Sequence, residues 1–99
     1  MSGVVTFGEI MARISAPNHM RFMQAMPAPM DVTFAGAEAN VAATLSLLGV
    51  DTRFVTVLPD NPVGDSCESA LRSVGIDTSA ISRKRASRLG VYYVEHGAN

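Results

Sequence analysis

Hydrophobic positions along this chain alternate between short runs of strand formers and stretches with a helical repeat. Val4, Val5, Phe7 and Ile10 form a largely apolar run interrupted at Gly8 and Glu9, which predicts a first strand over 4–10, buried on both faces. Residues 12–35 follow another pattern. Pro17, Pro27 and Pro29 break them into pieces, with short strands expected at Ala12–Ala16, Arg21–Gln24 and Asp31–Ala35. Met11, Met20, Met23, Met26 and Met30, five of the six methionines, lie in or just before this segment. Flexible, polarisable thioethers suit gap-filling in a small subdomain or a surface that repacks against a partner. Val41, Leu45 and Leu48 then recur at i, i+4 and i+7 with Ala42 beside them, predicting a helix over Ala37–Leu48 with those residues inward. Arg53–Leu58 reads as a strand. Asn61 and Pro62 offer an N-cap and a first-turn proline for a second helix, whose inner face is expected to carry Val63, Cys67, Ala70, Leu71 and Val74. Leu89–Glu95 reads as a final strand.

Gly49-Val50-Asp51-Thr52 and Gly75-Ile76-Asp77-Thr78 echo each other. Both read as a helix stop leading into an extended segment, the same punctuation used twice in a chain that is not a repeat protein. Strand, small β insertion, helix, strand, helix, strand is the order of an α/β fold with parallel pairing and right-handed crossovers. The pattern ends with few strands and no closing helix, so one face or edge of the sheet is left uncovered. The chain is expected to be part of a larger α/β domain.

Composition narrows the function classes. The 99 residues allow one small domain, and 47% apolar residues mark a core-forming chain. A net charge of −1 gives no electrostatic reason for a nucleic-acid partner. Arg83, Lys84, Arg85 and Arg88 hold half of the eight basic residues and read as a solvated loop. The single cysteine, Cys67, excludes an internal disulfide and a zinc site built on cysteine pairs, and suits a cytoplasmic setting. There is no signal-peptide pattern and no apolar run of the roughly 18 residues that a membrane span needs. His19 and His96 stand apart from other ligand types and point to no metal.

The chemistry concentrates at Phe34-Ala35-Gly36-Ala37-Glu38-Ala39-Asn40. A strand ends, small residues follow, and a helix begins. Gly36 removes a side chain where backbone can approach a ligand. The first helical turn offers unpaired N–H groups to hydroxyl or carboxylate oxygens, and the Asn40 amide donates and accepts, as a sugar hydroxyl requires. A small-residue turn of this kind also serves purely structural ends. No Gly-Lys-Ser/Thr follows, so it is not a Walker loop, and the glycine spacing of the dinucleotide fingerprint is absent.

Several segments in order resemble the ribokinase (PfkB) family of carbohydrate kinases: Val5-Thr6-Phe7-Gly8-Glu9-Ile10-Met11, Gly36-Ala37-Glu38-Ala39-Asn40-Val41-Ala42 followed by Leu48-Gly49, and Leu58-Pro59-Asp60-Asn61-Pro62-Val63-Gly64-Asp65. Phe54-Val55-Thr56 and Gly75-Ile76-Asp77-Thr78 fit as well. Within the family, the Gly-Glu-Ile-Met opening, Gly-Ala-Glu-Ala-Asn and Leu89-Gly90-Val91-Tyr92-Tyr93 look most like 2-keto-3-deoxygluconate kinases. Each motif is modest; their order and spacing over nearly the whole chain are specific. One departure is Ala35, where the family usually has the first of two glycines.

The resemblance implies a ribokinase-like fold: a partial parallel sheet with flanking helices and a small β lid, its strands within about 12–35 and 89–99, through which copies pair. It implies transfer of the ATP γ-phosphoryl, with Mg2+, to a sugar hydroxyl, here of 2-keto-3-deoxygluconate. Other ribokinase-like kinases act on fructose or ribose, and a non-catalytic sugar-binding module would carry the same motifs. The family's Gly-Ala-Gly-Asp segment with its aspartate base, and its ATP-binding part, have no counterpart in 1–99, so no general base is assigned and this chain alone is expected to be inactive. By motif match, Gly36 and Asn40 contact the sugar and Tyr92 lines its pocket from the lid. Glu9, at the end of the first strand, lies where α/β sheets place ligands, although a buried, hydrogen-bonded carboxylate would also fit. Arg13 is expected to meet the substrate carboxylate, unless it is a lid-surface arginine. Tyr92 and Tyr93 alternate along a strand, so only one can face the site.

Overall fold

The computed structural model describes residues 3–95. It has a mixed α/β architecture with parallel sheets, as the pattern predicts. Strand β1 (Val4–Phe7) pairs in parallel with β4 (Thr52–Val55), and β5 (Val57–Pro59) pairs in parallel with β6 (Ser82–Lys84). β4 and β5 are nearly one strand, interrupted at Thr56. A bridge from Arg53 to Asp77, with Asp77 N donating to Thr52 O at 2.9 Å, carries the second pairing back along β4. Helices α2 (Ala37–Leu47) and α3 (Pro62–Ser73) cover one face of this sheet.

The second sheet has the order β3-β2-β7. Here β2 (Met11–Ser15) runs antiparallel to β3 (Asp31–Ala35) and parallel to β7 (Val91–Val94). The excursion between β2 and β3 holds a 3-10 turn at Pro17–His19 and a single helical turn, α1 (Phe22–Ala25). Glu95, just past β7, accepts from Phe22 N at 2.9 Å and from Arg21 at 3.1 Å, and Tyr93 meets Phe22 edge-on. The excursion is therefore tied to the third strand of its own sheet.

The core is a cluster of Ile10, Ala39, Ala42, Phe54, Leu58, Cys67, Leu71 and Ile76. Phe34 and Leu89, at the roots of β3 and β7, pack against it and anchor the second sheet to the body. Burial pushes the Cys67 thiol up to about 11, so it sits protonated in the core. Both helices end in the expected glycine. Gly49 and Gly75 adopt φ +88, and Val50 N→Leu45 O and Ile76 N→Leu71 O close matching left-handed caps. Asn61 caps α3 by accepting from Gly64 N at 2.9 Å.

Five expectations need correction. β1 is not buried on both faces, since Val5 and Phe7 are 63% and 77% exposed, and Val63 and Ala70, expected on the inner face of α3, are exposed. Arg21–Gln24 belongs to a helical turn, not a strand; Gln24 reaches back to accept from Arg21 N at 3.0 Å, and Glu95 supplies a further acceptor at Phe22 N. On α2, Val41 and Leu48 are 51% and 74% exposed, while Ala39 and Ala42 are buried. Small residues let the helix lie close against Phe54, so the alanine stripe faces the sheet and the larger side chains face outward. The basic run is not simply a solvated loop. Ser82–Lys84 is a strand, and the Arg83 side chain, 26% exposed, donates to Glu68 at 2.6 Å, to Asp65 at 2.9 Å and to Pro59 O at 3.1 Å. These bonds clamp α3 to β5 and β6.

Candidate functional site

Two turns interlock where the sheets meet. Gly36 caps α2 in extended conformation, and a Cβ there would run into the backbone carbonyl oxygen of Glu9 and lie 3.3 Å from Ile10 Cα. Across the same junction, a Cβ on Gly8 would run into the Glu38 carboxylate and lie 2.7 Å from its Cδ. Each glycine makes room for the other turn, so the β1–β2 loop is seated against the first turn of α2. Asn40 N donates to Gly36 O at 2.8 Å, the first backbone bond of the helix. The N–H groups ahead of it have no acceptor within the helix, and the Asn40 side chain is exposed on that turn.

The second sheet adds a row of polar side chains. Arg13 is paired with Thr33 on one side and Tyr92 on the other, and directly opposed residues share a face. Met11 and Ala35 occupy the same face one step nearer the junction. A Cβ on Gly90 would meet Met11 Cγ at 3.1 Å and Glu9 Oε2 at 3.4 Å, which brings the Glu9 carboxylate onto this face too. Ala12, Ile14, Phe34, Val32, Val91 and Tyr93 lie on the other face.

The five predicted residues lie along the junction of the two turns with the β3-β2-β7 sheet. Glu9 and Gly36 touch through the backbone, Arg13 and Tyr92 are cross-strand neighbours, and Asn40 stands one helical turn beyond Gly36. Glu9 is exposed, which corrects the picture of a buried, bonded carboxylate. Arg21, Arg53, Arg72 and Arg83 each meet a carboxylate. Arg13 is half-buried, and its side chain has no hydrogen bond or ion pair among the described residues. A guanidinium placed so is ready for an anionic ligand. Of the two tyrosines, Tyr92 lies on the Arg13 face and Tyr93 on the opposite one. Thr33, Gly90 and Glu38 were not singled out from the sequence. Alternation from Ala35 back along β3 was the available signal for Thr33, but it needs the strand register.

A groove of about 630 Å³ lies at the opposite end of the strands, lined by Gly3, Val5, Ser46, Val50, Arg53 and Asp77 among others; it contains none of the predicted residues. Among the described residues no group of three His, Cys, Asp or Glu gathers to hold a metal ion, and no helix is long and apolar enough to cross a membrane. His96 and the end of the expected lid segment, 96–99, lie outside the described residues.

Residues 1–99 match the pfkB family carbohydrate kinase profile from end to end. The chain belongs to the pfkB carbohydrate kinase family. Among pfkB relatives it is 37% identical over 94 residues to the 2-dehydro-3-deoxygalactonokinase of Haloferax volcanii, covering 95% of this chain and 29% of that protein. The crystal structure of 2-dehydro-3-deoxygluconokinase from Thermotoga maritima superposes with a TM-score of 0.91 at 50% identity, over 99% of this chain and 29% of that one. A PfkB family carbohydrate kinase of Listeria grayi superposes with a TM-score of 0.89 at 41% identity, over 97% of this chain and 29% of its own. The chain therefore spans somewhat under a third of the length of these relatives, and its fold is ribokinase-like.

Proposed function

We propose that this chain forms the sugar-binding part of an ATP-dependent kinase that phosphorylates a hydroxyl of 2-keto-3-deoxygluconate or a close sugar acid. The observation that carries the reading is the likeness to the Thermotoga maritima 2-dehydro-3-deoxygluconokinase, at 50% identity over 99% of the chain. The site supports a sugar acid in particular. Arg13 grips the substrate carboxylate by charge-assisted hydrogen bonds. Gly36, whose missing Cβ seats the β1–β2 turn, offers its backbone to the sugar hydroxyls, Asn40 and Glu9 pair with those hydroxyls, and Tyr92 walls the pocket from the lid.

ATP supplies the phosphoryl group, and magnesium neutralises its charge. The residues described here do not fit either one: they offer neither a phosphate loop nor a carboxylate cluster. The proposal accordingly gives this chain the sugar side of the reaction and no general base. Copies pair through the β3-β2-β7 sheet, a reading supported by its two free edges and by exposed Val32, Val91 and Met23. We place the enzyme in the cytoplasm.

The test is a coupled ADP-release assay of the whole protein with 2-keto-3-deoxygluconate, fructose and ribose in parallel. Turnover with the sugar acid in preference to the other two is expected. Preference for fructose or ribose overturns the substrate. Sugar binding without turnover on any of the three makes the protein a non-catalytic module.

A further inference from the structure

The row through Arg13 has three members, and the third has no role in the reading above. Thr33, Arg13 and Tyr92 are in register across β3, β2 and β7 and share one face of the sheet. No side chain of the three makes a hydrogen bond among the described residues, and the Glu9 carboxylate on the same face makes none either. The reverse face at the same level carries Ile14, Val32 and Tyr93. The sheet is thus amphipathic, and its polar side holds a positive charge flanked by two hydroxyls that no partner among the described residues uses. Thr33 is exposed on the edge strand β3, so its hydroxyl is open to a ligand that reaches the half-buried Arg13 guanidinium beside it.

We infer that Thr33 is a ligand-facing, specificity-determining residue that reads the configuration of a hydroxyl on the sugar-acid chain. The inference rests on the sugar-acid reading of the site. With the carboxylate held at Arg13, Thr33 is the directly opposed side chain on the same face. The gluconate and galactonate forms of a 2-keto-3-deoxy acid differ in configuration at C4. A hydroxyl donor and acceptor beside the carboxylate-binding residue bonds one epimer and misses the other.

The experiment is calorimetric titration of both epimers into the whole protein and into Thr33→Val, Thr33→Ala and Thr33→Ser. Valine keeps the β-branched shape that an edge strand favours, and alanine removes the hydroxyl without adding bulk. Both should weaken the preferred epimer about 3- to 10-fold, the loss of one net hydrogen bond, and affect the other less, so that the affinity ratio moves toward one. Serine should restore the ratio, and thermal midpoints should stay near wild type. An unchanged ratio in Thr33→Val and Thr33→Ala, whether both affinities hold or fall together, overturns the inference and leaves the sugar-acid reading standing. Failure of the wild-type protein to bind either epimer overturns both.

Discussion

Glu68→Gln tests the clamp that holds α3 against β5 and β6. The Glu68 carboxylate accepts from Arg83 at 2.6 Å, Arg72 at 2.7 Å and Thr78 Oγ1 at 3.0 Å. The Arg83 hydrogen bond, then that of Arg72, brings its pKa down from 4.5 to about 2. At roughly 1.4 kcal/mol per pKa unit the folded state gains at most about 3.5 kcal/mol from this ionisation. The Glu68 side chain is 16% exposed, but its partner Arg72 is 67% exposed, and solvent screening reduces the gain to about 1.5–2 kcal/mol. Because the folded pKa is depressed, the contribution is complete above the unfolded value near 4.5. It is lost as pH falls from there through about 2. Glutamine keeps an acceptor oxygen and removes the charge. Urea unfolding of both proteins should therefore show Glu68→Gln less stable by about that amount at neutral pH, with the gap closing toward pH 2. Equal midpoints at neutral pH, or a gap that does not change with pH, would refute the argument that ionisation of Glu68 drives the clamp.

Further outcomes follow from the junction and the row. Gly36→Ala should cost about 1–3 kcal/mol, because its Cβ meets backbone at Glu9 and the two turns must part; thermal unfolding checks this, and an unchanged midpoint would contradict the interlock. Arg13→Ala should weaken binding of the sugar acid far more than binding of ATP, and Arg13→Lys should recover only part of it, since an ammonium lacks the planar fork; titration of each ligand separates the two. Asn61→Ala should destabilise by about 1 kcal/mol through loss of the α3 cap, read by denaturant unfolding. The 99-residue chain by itself should release no ADP with 2-keto-3-deoxygluconate, and turnover in that assay would refute the assignment of the sugar side alone.

Local chemistry was legible from the residues because it acts over a few positions. Asn61, Pro62, Gly49 and Gly75 mark helix ends through caps and a left-handed backbone, and both helices lie within a residue or so of expectation. The order of elements also sufficed for an α/β fold. Facing was another matter. The periodicity of α2 placed Val41 and Leu48 inward, but the helix carries apolar residues all round, and only contact with Phe54 selects the alanine stripe. Arg21–Gln24 turns helical on one local bond, Arg21 N to Gln24, and one distant one, since Glu95, the acceptor at Phe22 N, lies 73 residues from Phe22. Arg83 read as part of a charge run because its partners Asp65 and Glu68 sit on another element. At the site, motif order pointed to Gly36, Asn40, Tyr92, Glu9 and Arg13 one at a time. Their convergence, and the place of Thr33 beside Arg13, depend on the register of three strands far apart in sequence. A one-residue slip would turn every one of those side chains to the opposite face. Pairing energy and burial across the sheet decide that register, and neither is a property of any short stretch of the chain.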